Sequence, residues 1–241
     1  MRFGTMMAAG ALALATAAPA AAQSQAPRFS LTFDLGADLS LTGDVHDGGT
    51  GTVLGLATSV GARSYNDVYG TPFTWNLTFG ARNGQNTEIR ARYFRTTADA
   101  SEIQVGTVAS FALNARFGDY TVNGMDVGVR QYYGTRIQPY VGASVGFARV
   151  DAISGTFSVP AASVVLSNVA MYDDSTVLTF AFQGGVMIPV SRNFGLQAGF
   201  DARWLGDLDP IDGLAGTGLE PINDKSRRWS MPITFGAVVR F

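Results

Sequence analysis

The chain has 241 residues and a formal net charge of −2. Only 15% of its residues are charged, it carries 29 glycines, and it has no cysteine. This balance excludes a basic nucleic-acid surface, and the absence of cysteine excludes a disulfide framework. Beyond the N-terminal segment there is no apolar run of the roughly 18 residues that a membrane-spanning helix needs.

Residues 1–22 read as a secretory leader. Arg2 supplies a short positive start, MMAAGALALATAA is an apolar stretch too short to span a bilayer, and Pro19 followed by Ala20, Ala21 and Ala22 offers small residues to a signal peptidase. The remaining residues, 23–241, are then one all-β domain.

That domain opens on FSLTFDLGADLSLTG, in which Phe29, Leu31, Phe33, Leu35, Ala37, Leu39 and Leu41 alternate with Ser30, Thr32, Asp34, Gly36, Asp38, Ser40 and Thr42. A period of two defines an extended strand with two unlike faces, and this one is longer than the 4 to 8 residues usual for a half-buried strand in a soluble protein. Seven more segments follow the same rule, at about 73–82, 87–95, 124–133, 137–148, 177–188, 194–205 and 229–241. The fifth and sixth are the least regular. Between the second and third, fourth and fifth, and sixth and seventh segments the chain turns tightly at NGQN, GTR and SRN, as hairpin turns do. The other connections run roughly 20 residues or more, well past the usual loop length.

Strict alternation of short and long connections predicts an eight-stranded antiparallel up-and-down transmembrane β-barrel in the outer membrane, with short periplasmic turns and long external loops. Strands in hydrocarbon must close on themselves, because an open edge leaves backbone groups unpaired. On this path Trp75, Trp204 and Trp229 fall at the outer rim, and Phe29, Tyr133, Phe194 and Phe241 at the periplasmic one, giving two aromatic belts.

With these strands and loops the chain resembles the small eight-stranded outer-membrane barrels, the group of the OmpA transmembrane domain and the OmpX-like, porin-related proteins. The terminal ITFGAVVRF, with Ile233, Phe235, Ala237, Val239 and Phe241 at alternating positions, looks like the C-terminal signal read by the barrel assembly machinery. The resemblance implies a monomer among outer-membrane lipid and lipopolysaccharide. It carries no assigned activity.

Three groups of residues are candidates for function. The inward faces hold Asp34, Asp38, Glu88, Asp126 and Asp201 with Arg82, Arg90, Arg92, Arg130, Arg203 and Arg240. Eight strands enclose a lumen that side chains can fill, so these charges are expected to pair with one another as a plug rather than to line a pore. His46, the sole histidine, lies in GDVHDGG between Asp44 and Asp47. It reads as a turn residue in preference to the base of an acyl-transfer or esterase site, and no serine sits in a nucleophile motif. The loops contain apolar stretches at Thr52–Ala62, Val108–Ala115 and Val159–Tyr172, either packed on one another or exposed to a partner. The expected function is therefore a non-enzymatic envelope protein with a structural or surface-interaction role, without cofactor, metal or nucleic acid. A narrow porin is the first alternative and a lipid A modifying enzyme the second.

Overall fold

The computed structural model describes residues 28–84, 86–211, 214–223 and 227–241. The expected leader, residues 1–22, lies outside them. Sixteen strands are present among the described residues. Eight of them are the long ones: β1 (Phe29–Thr42), β6 (Phe73–Asn83), β7 (Thr87–Ala98), β10 (Tyr120–Tyr132), β11 (Gln138–Val150), β14 (Ser175–Pro189), β15 (Phe194–Leu205) and β16 (Arg228–Arg240). They form a closed antiparallel barrel in the order β1-β16-β15-β14-β11-β10-β7-β6, each paired with its sequence neighbour in the ring and β16 with β1.

The two faces of these strands are inverted relative to a soluble protein. Outside, Met125, Val127, Phe147, Phe182 and Phe235 are each 60% or more exposed. Inside, Thr32, Asp34, Asn76, Thr78, Arg90 and Arg92 are buried. Because side chains alternate, the register that presents the apolar set to lipid places the polar set in the lumen. The three tight turns join β6 to β7, β10 to β11 and β14 to β15. Gly84 and Gly134 take the positive φ values of 78° and 80° that two of these turns require.

The seam between β1 and β16 is regular from Ser30↔Arg240 to Asp38↔Pro232, then slips before Leu41↔Ser230. Asp38 caps this irregularity. Its Oδ1 accepts from the Met231 amide at 2.6 Å and the Ser40 amide at 3.3 Å, and its Oδ2 accepts from the Ser230 hydroxyl. At the other end the seam closes with paired backbone bonds between Phe29 and Phe241, both 3.0 Å.

The long connections are not irregular loops. Three of them contribute strands to a second, six-stranded sheet in the order β13-β12-β9-β8-β4-β3. From the first connection come β2 (Asp44–His46), β3 (Gly49–Val53), β4 (Leu56–Val60), β5 (Arg63–Ser64) and a short helix, α1 (Tyr65–Val68). The second supplies β8 (Glu102–Val108) and β9 (Phe111–Phe117), the third β12 (Ile153–Val159) and β13 (Val164–Tyr172). Ser64 and Asp67 form a reciprocal capping box that starts α1. The fourth connection, described over 206–211 and 214–223, packs Leu208, Leu219 and Ile222 into the same apolar core as Val45, Val105, Phe117 and Met171. The principal hydrophobic core thus sits at the long-loop end of the barrel, between the ring and the outer sheet.

Candidate functional site

The lumen gathers the charged side chains whose alternation marked them as inward-facing. On β7, Arg92 is the cross-strand partner of Asp126 on β10, and its guanidinium donates to Asp126 Oδ2 through Nε at 2.9 Å and Nη2 at 2.6 Å. Its Nη1 reaches Asp201 Oδ2 on β15. In the ring order β7 and β15 are four strands apart in both directions, so this contact crosses the lumen from wall to wall. Arg203, two residues along β15, donates to the same Asp201 oxygen at 3.1 Å. Its guanidinium carbon stands 3.6 Å from the centroid of the buried Phe94 ring, a cation–π contact.

The other charges are held by neutral partners. Asp34 accepts from Gln197 Nε2 at 2.7 Å, while Gln197 Oε1 accepts from Arg130 at 3.1 Å. Arg130 also lies 3.9 Å from the centroid of Tyr140. Arg90 donates to Gln183 at 2.6 Å. Glu88 accepts from Ser30 and from the Tyr132 hydroxyl. Arg82 stacks on Tyr132, and Arg240 is buried near the tight-turn end. The expectation that five acids and six arginines pair with one another therefore meets a more uneven arrangement. Among the described residues, ion pairs inside the barrel join only Arg92, Arg203, Asp126 and Asp201. Amides, phenols and ring faces serve the rest, and Asp38 serves the seam.

Arg228 belongs to the same interior and lay outside the sequence reading, which began the last strand at Trp229. It is 1% exposed. Its Nε donates to the Tyr120 hydroxyl at 2.6 Å, and β16 and β10 are again four strands apart. This is a second wall-to-wall contact, at the long-loop end. The signal available in the sequence was its place in the alternation: Arg228, Ser230, Pro232 and Thr234 share one face.

His46 is 1% exposed and stacks on Phe117 at 5.8 Å. Nδ1 contacts the Asp47 carbonyl at 3.0 Å, and Nε2 has no hydrogen-bond partner among the described residues. Burial holds the imidazole below its ordinary value, and the Arg63 charge adds to that. Asp44 is exposed, and no serine hydroxyl reaches the ring among the described residues. The side chain is packed in the core and is not poised over a reacting group. No cluster of three His, Cys, Asp or Glu that could hold a metal is present among the described residues.

A closed ring of eight antiparallel strands, apolar outside and polar within, is a transmembrane β-barrel of the outer-membrane class. No known family model matches the chain, and no curated protein matches it. Solved structures do. The chain is similar to Neisserial surface protein A, at 16% identity over 88% of this chain and 97% of that one, with a TM-score of 0.49. It is also similar to Ail, the attachment invasion locus protein of Yersinia pestis, at 12% identity over 90% and 100% with a TM-score of 0.46. A third likeness is to the outer membrane protein AlkL, at 15% identity over 93% and 95% with a TM-score of 0.44.

Proposed function

We propose that the protein is a closed, non-enzymatic barrel of the bacterial outer membrane that anchors a β-structured domain at the cell surface for interaction. The observation that carries this reading is the Arg92–Asp201 contact between opposite walls, supported nearer the outer end by Arg228–Tyr120. A pore needs a continuous hydrated path whose sites bind ions weakly enough to release them. Side chains that meet across the lumen oppose that path, and the buried pairs among them are lost only at considerable cost. The barrel works as a monomer among lipid and lipopolysaccharide, inserted by the barrel assembly machinery through the alternating C-terminal pattern.

The narrow porin is the second reading. It is favoured by Asp126 Oδ1, Arg90 Nε and Arg130 Nε, which are buried without hydrogen-bond partners among the described residues and are the kind of polar atom that water serves. Single-channel recording in planar bilayers separates the two. The plugged barrel gives no steady conductance as wild type and acquires one when Arg92, Asp201 and Arg228 are all replaced by Ala, which removes both wall-to-wall contacts. Steady wild-type conductance, altered in ion preference by Asp201→Ala, overturns it in favour of the porin.

A further inference from the structure

The three apolar loop stretches converge. Thr52–Ala62 holds the end of β3, the β3–β4 hairpin and β4, Val108–Ala115 the β8–β9 hairpin, and Val159–Tyr172 the end of β12, a 3-10 turn at Pro160–Ala162 and β13. The edge strands β3 and β13 and the hairpins between them line one cavity of about 310 Å³, so the outer sheet curls around it. On one side Leu56, Val60 and Leu113 face the space; on another, Val164 and Leu166. The fourth connection closes it with Leu214 and Leu219, pinned to β3 by the Thr52 amide donating to the Thr217 carbonyl at 2.6 Å.

Among the described residues the lining carries no charge, and its two hydroxyls are already engaged. Thr58 Oγ1 donates to the Leu56 carbonyl at 3.1 Å, and Thr217 Oγ1 to the Leu214 carbonyl at 2.5 Å. Such a wall offers dispersion contacts on all sides and nothing to hold water or a polar group. The lining residues that remain exposed, Leu54, Leu56, Ala109, Phe111 and Ala162, are at or beside the hairpin tips, so the mouth lies there.

We propose that this cavity binds an aliphatic chain, inserted from the hairpin tips with any polar head left at the mouth. Its volume is roughly twice the ~150 Å³ of an apolar cavity that stays dry and takes up benzene, which corresponds to a chain on the order of ten carbons. The chain can belong to a free molecule or to a neighbouring membrane lipid; both present the same chemistry to the site. The inference goes beyond the anchoring role and does not depend on whether the lumen conducts.

The test uses the full barrel in lipid nanodiscs, with methyl-labelled leucine and valine observed by NMR as n-decane is titrated. The expected result is a saturable shift of the Val60 and Leu113 methyls. Leu56→Asp, which places a charge at the mouth, weakens that response about tenfold or more. Ala162→Trp, an exposed turn position that leaves the core untouched, obstructs entry and gives the same loss where Leu56→Asp disturbs the loop. Val165→Asp, the same chemical change on an exposed β13 residue outside the cavity, leaves it unaltered. Cross-peaks from these methyls to the bilayer's own acyl chains before decane is added support the site and identify a membrane lipid as its source; a response to decane alone supports it with a free molecule. No saturable methyl shift together with no acyl cross-peak overturns the proposal, as does a response that survives both mouth variants undiminished.

Discussion

Arg92 and Asp201 are 109 positions apart in the chain and stand on opposite walls of the barrel, yet they meet in its middle. The pair is not isolated. Arg92 is shared with Asp126, and Asp201 is shared with Arg203, so the two carboxylates hold unequal positions in one chain of charges. Asp201 serves two guanidinium groups, Asp126 one.

That inequality gives the first prediction. Among the described residues, Asp201→Ala removes the sole carboxylate bonded to Arg203 and one of two bonded to Arg92, leaving a buried cation uncompensated. Loss of one partner of a buried pair typically costs about 3 to 5 kcal/mol. Asp126→Ala leaves Arg92 still bonded to Asp201, so its cost is smaller, about 1 to 3 kcal/mol. Urea unfolding in lipid vesicles, followed by heat-modifiable gel mobility, measures both. Equal costs, or negligible ones, would mean that water screens these charges.

The second prediction concerns depth on the lipid face. Leu77 and Phe200 point outward near the middle of their strands, so Leu77→Arg or Phe200→Arg should destabilise the barrel by roughly 2 to 4 kcal/mol. Ile137, 60% exposed beside the β10–β11 turn, should tolerate Arg at a cost of about 0 to 1 kcal/mol. Thr78 and Gln197 are not cheap lumen controls, because each accepts a hydrogen bond from an existing arginine and a further cation there meets like charge. Equal losses at Phe200 and Ile137, measured by the same unfolding assay, would place the bilayer elsewhere on the barrel.

The barrel was legible because one physical signal served two purposes. Period-two alternation marked the strands of FSLTFDLGADLSLTG and WSMPITFGAVVRF, and the same alternation assigned their faces. The outer sheet was hidden for a local reason. Its two-residue hairpins turn at Leu54–Gly55 and Ala109–Ser110, all with positive φ, where Asn-Gly or Asp-Gly is the usual signature. Its strands, such as GTGTV, are too short and glycine-rich to show a period. Inward-facing charges could likewise be identified one strand at a time, but which of them meet depends on ring closure and stagger. A one-dimensional pattern does not encode that Gln197 joins Asp34 to Arg130. The apolar loop stretches were visible individually, and only the curl of the sheet makes them one cavity.

The third prediction is a pH dependence confined to the outer module. His46 is buried against Phe117, and its imidazole is held below the ordinary value of 6.5 by desolvation first and by Arg63 second, while Asp44 and Asp47 act in the opposite direction. The unfolded segment therefore binds a proton more readily than the folded one. The stability contribution is complete above about pH 6.5 and is lost as pH falls from there toward the folded-state value. Amide protection in β2 and β9 should fall between pH 7.5 and 5.5 while the barrel strands keep theirs, and His46→Phe should remove the dependence. Loss of protection on raising the pH would contradict the sign.

The last prediction separates two roles of Phe241. Phe241 closes the seam through two backbone bonds to Phe29, and its ring, 52% exposed, lies 6.2 Å from that of Phe29. Deleting the residue removes both the bonds and the ring, so it cannot distinguish a structural end from a recognition element. Phe241→Ala keeps the backbone pairing and removes only the ring. If Ile233, Phe235, Ala237, Val239 and Phe241 are read together by the assembly machinery, this variant should fold into lipid vesicles in vitro with a stability loss below about 1 kcal/mol, because an exposed side chain near the bilayer rim buries little. In cells it should accumulate unassembled in the periplasm, with export across the inner membrane unchanged. Pulse-labelling followed by fractionation and unboiled electrophoresis reads both quantities. Normal assembly of Phe241→Ala would leave the residue as a seam closure alone, and a matching loss in vitro would attribute the cellular defect to instability rather than to recognition.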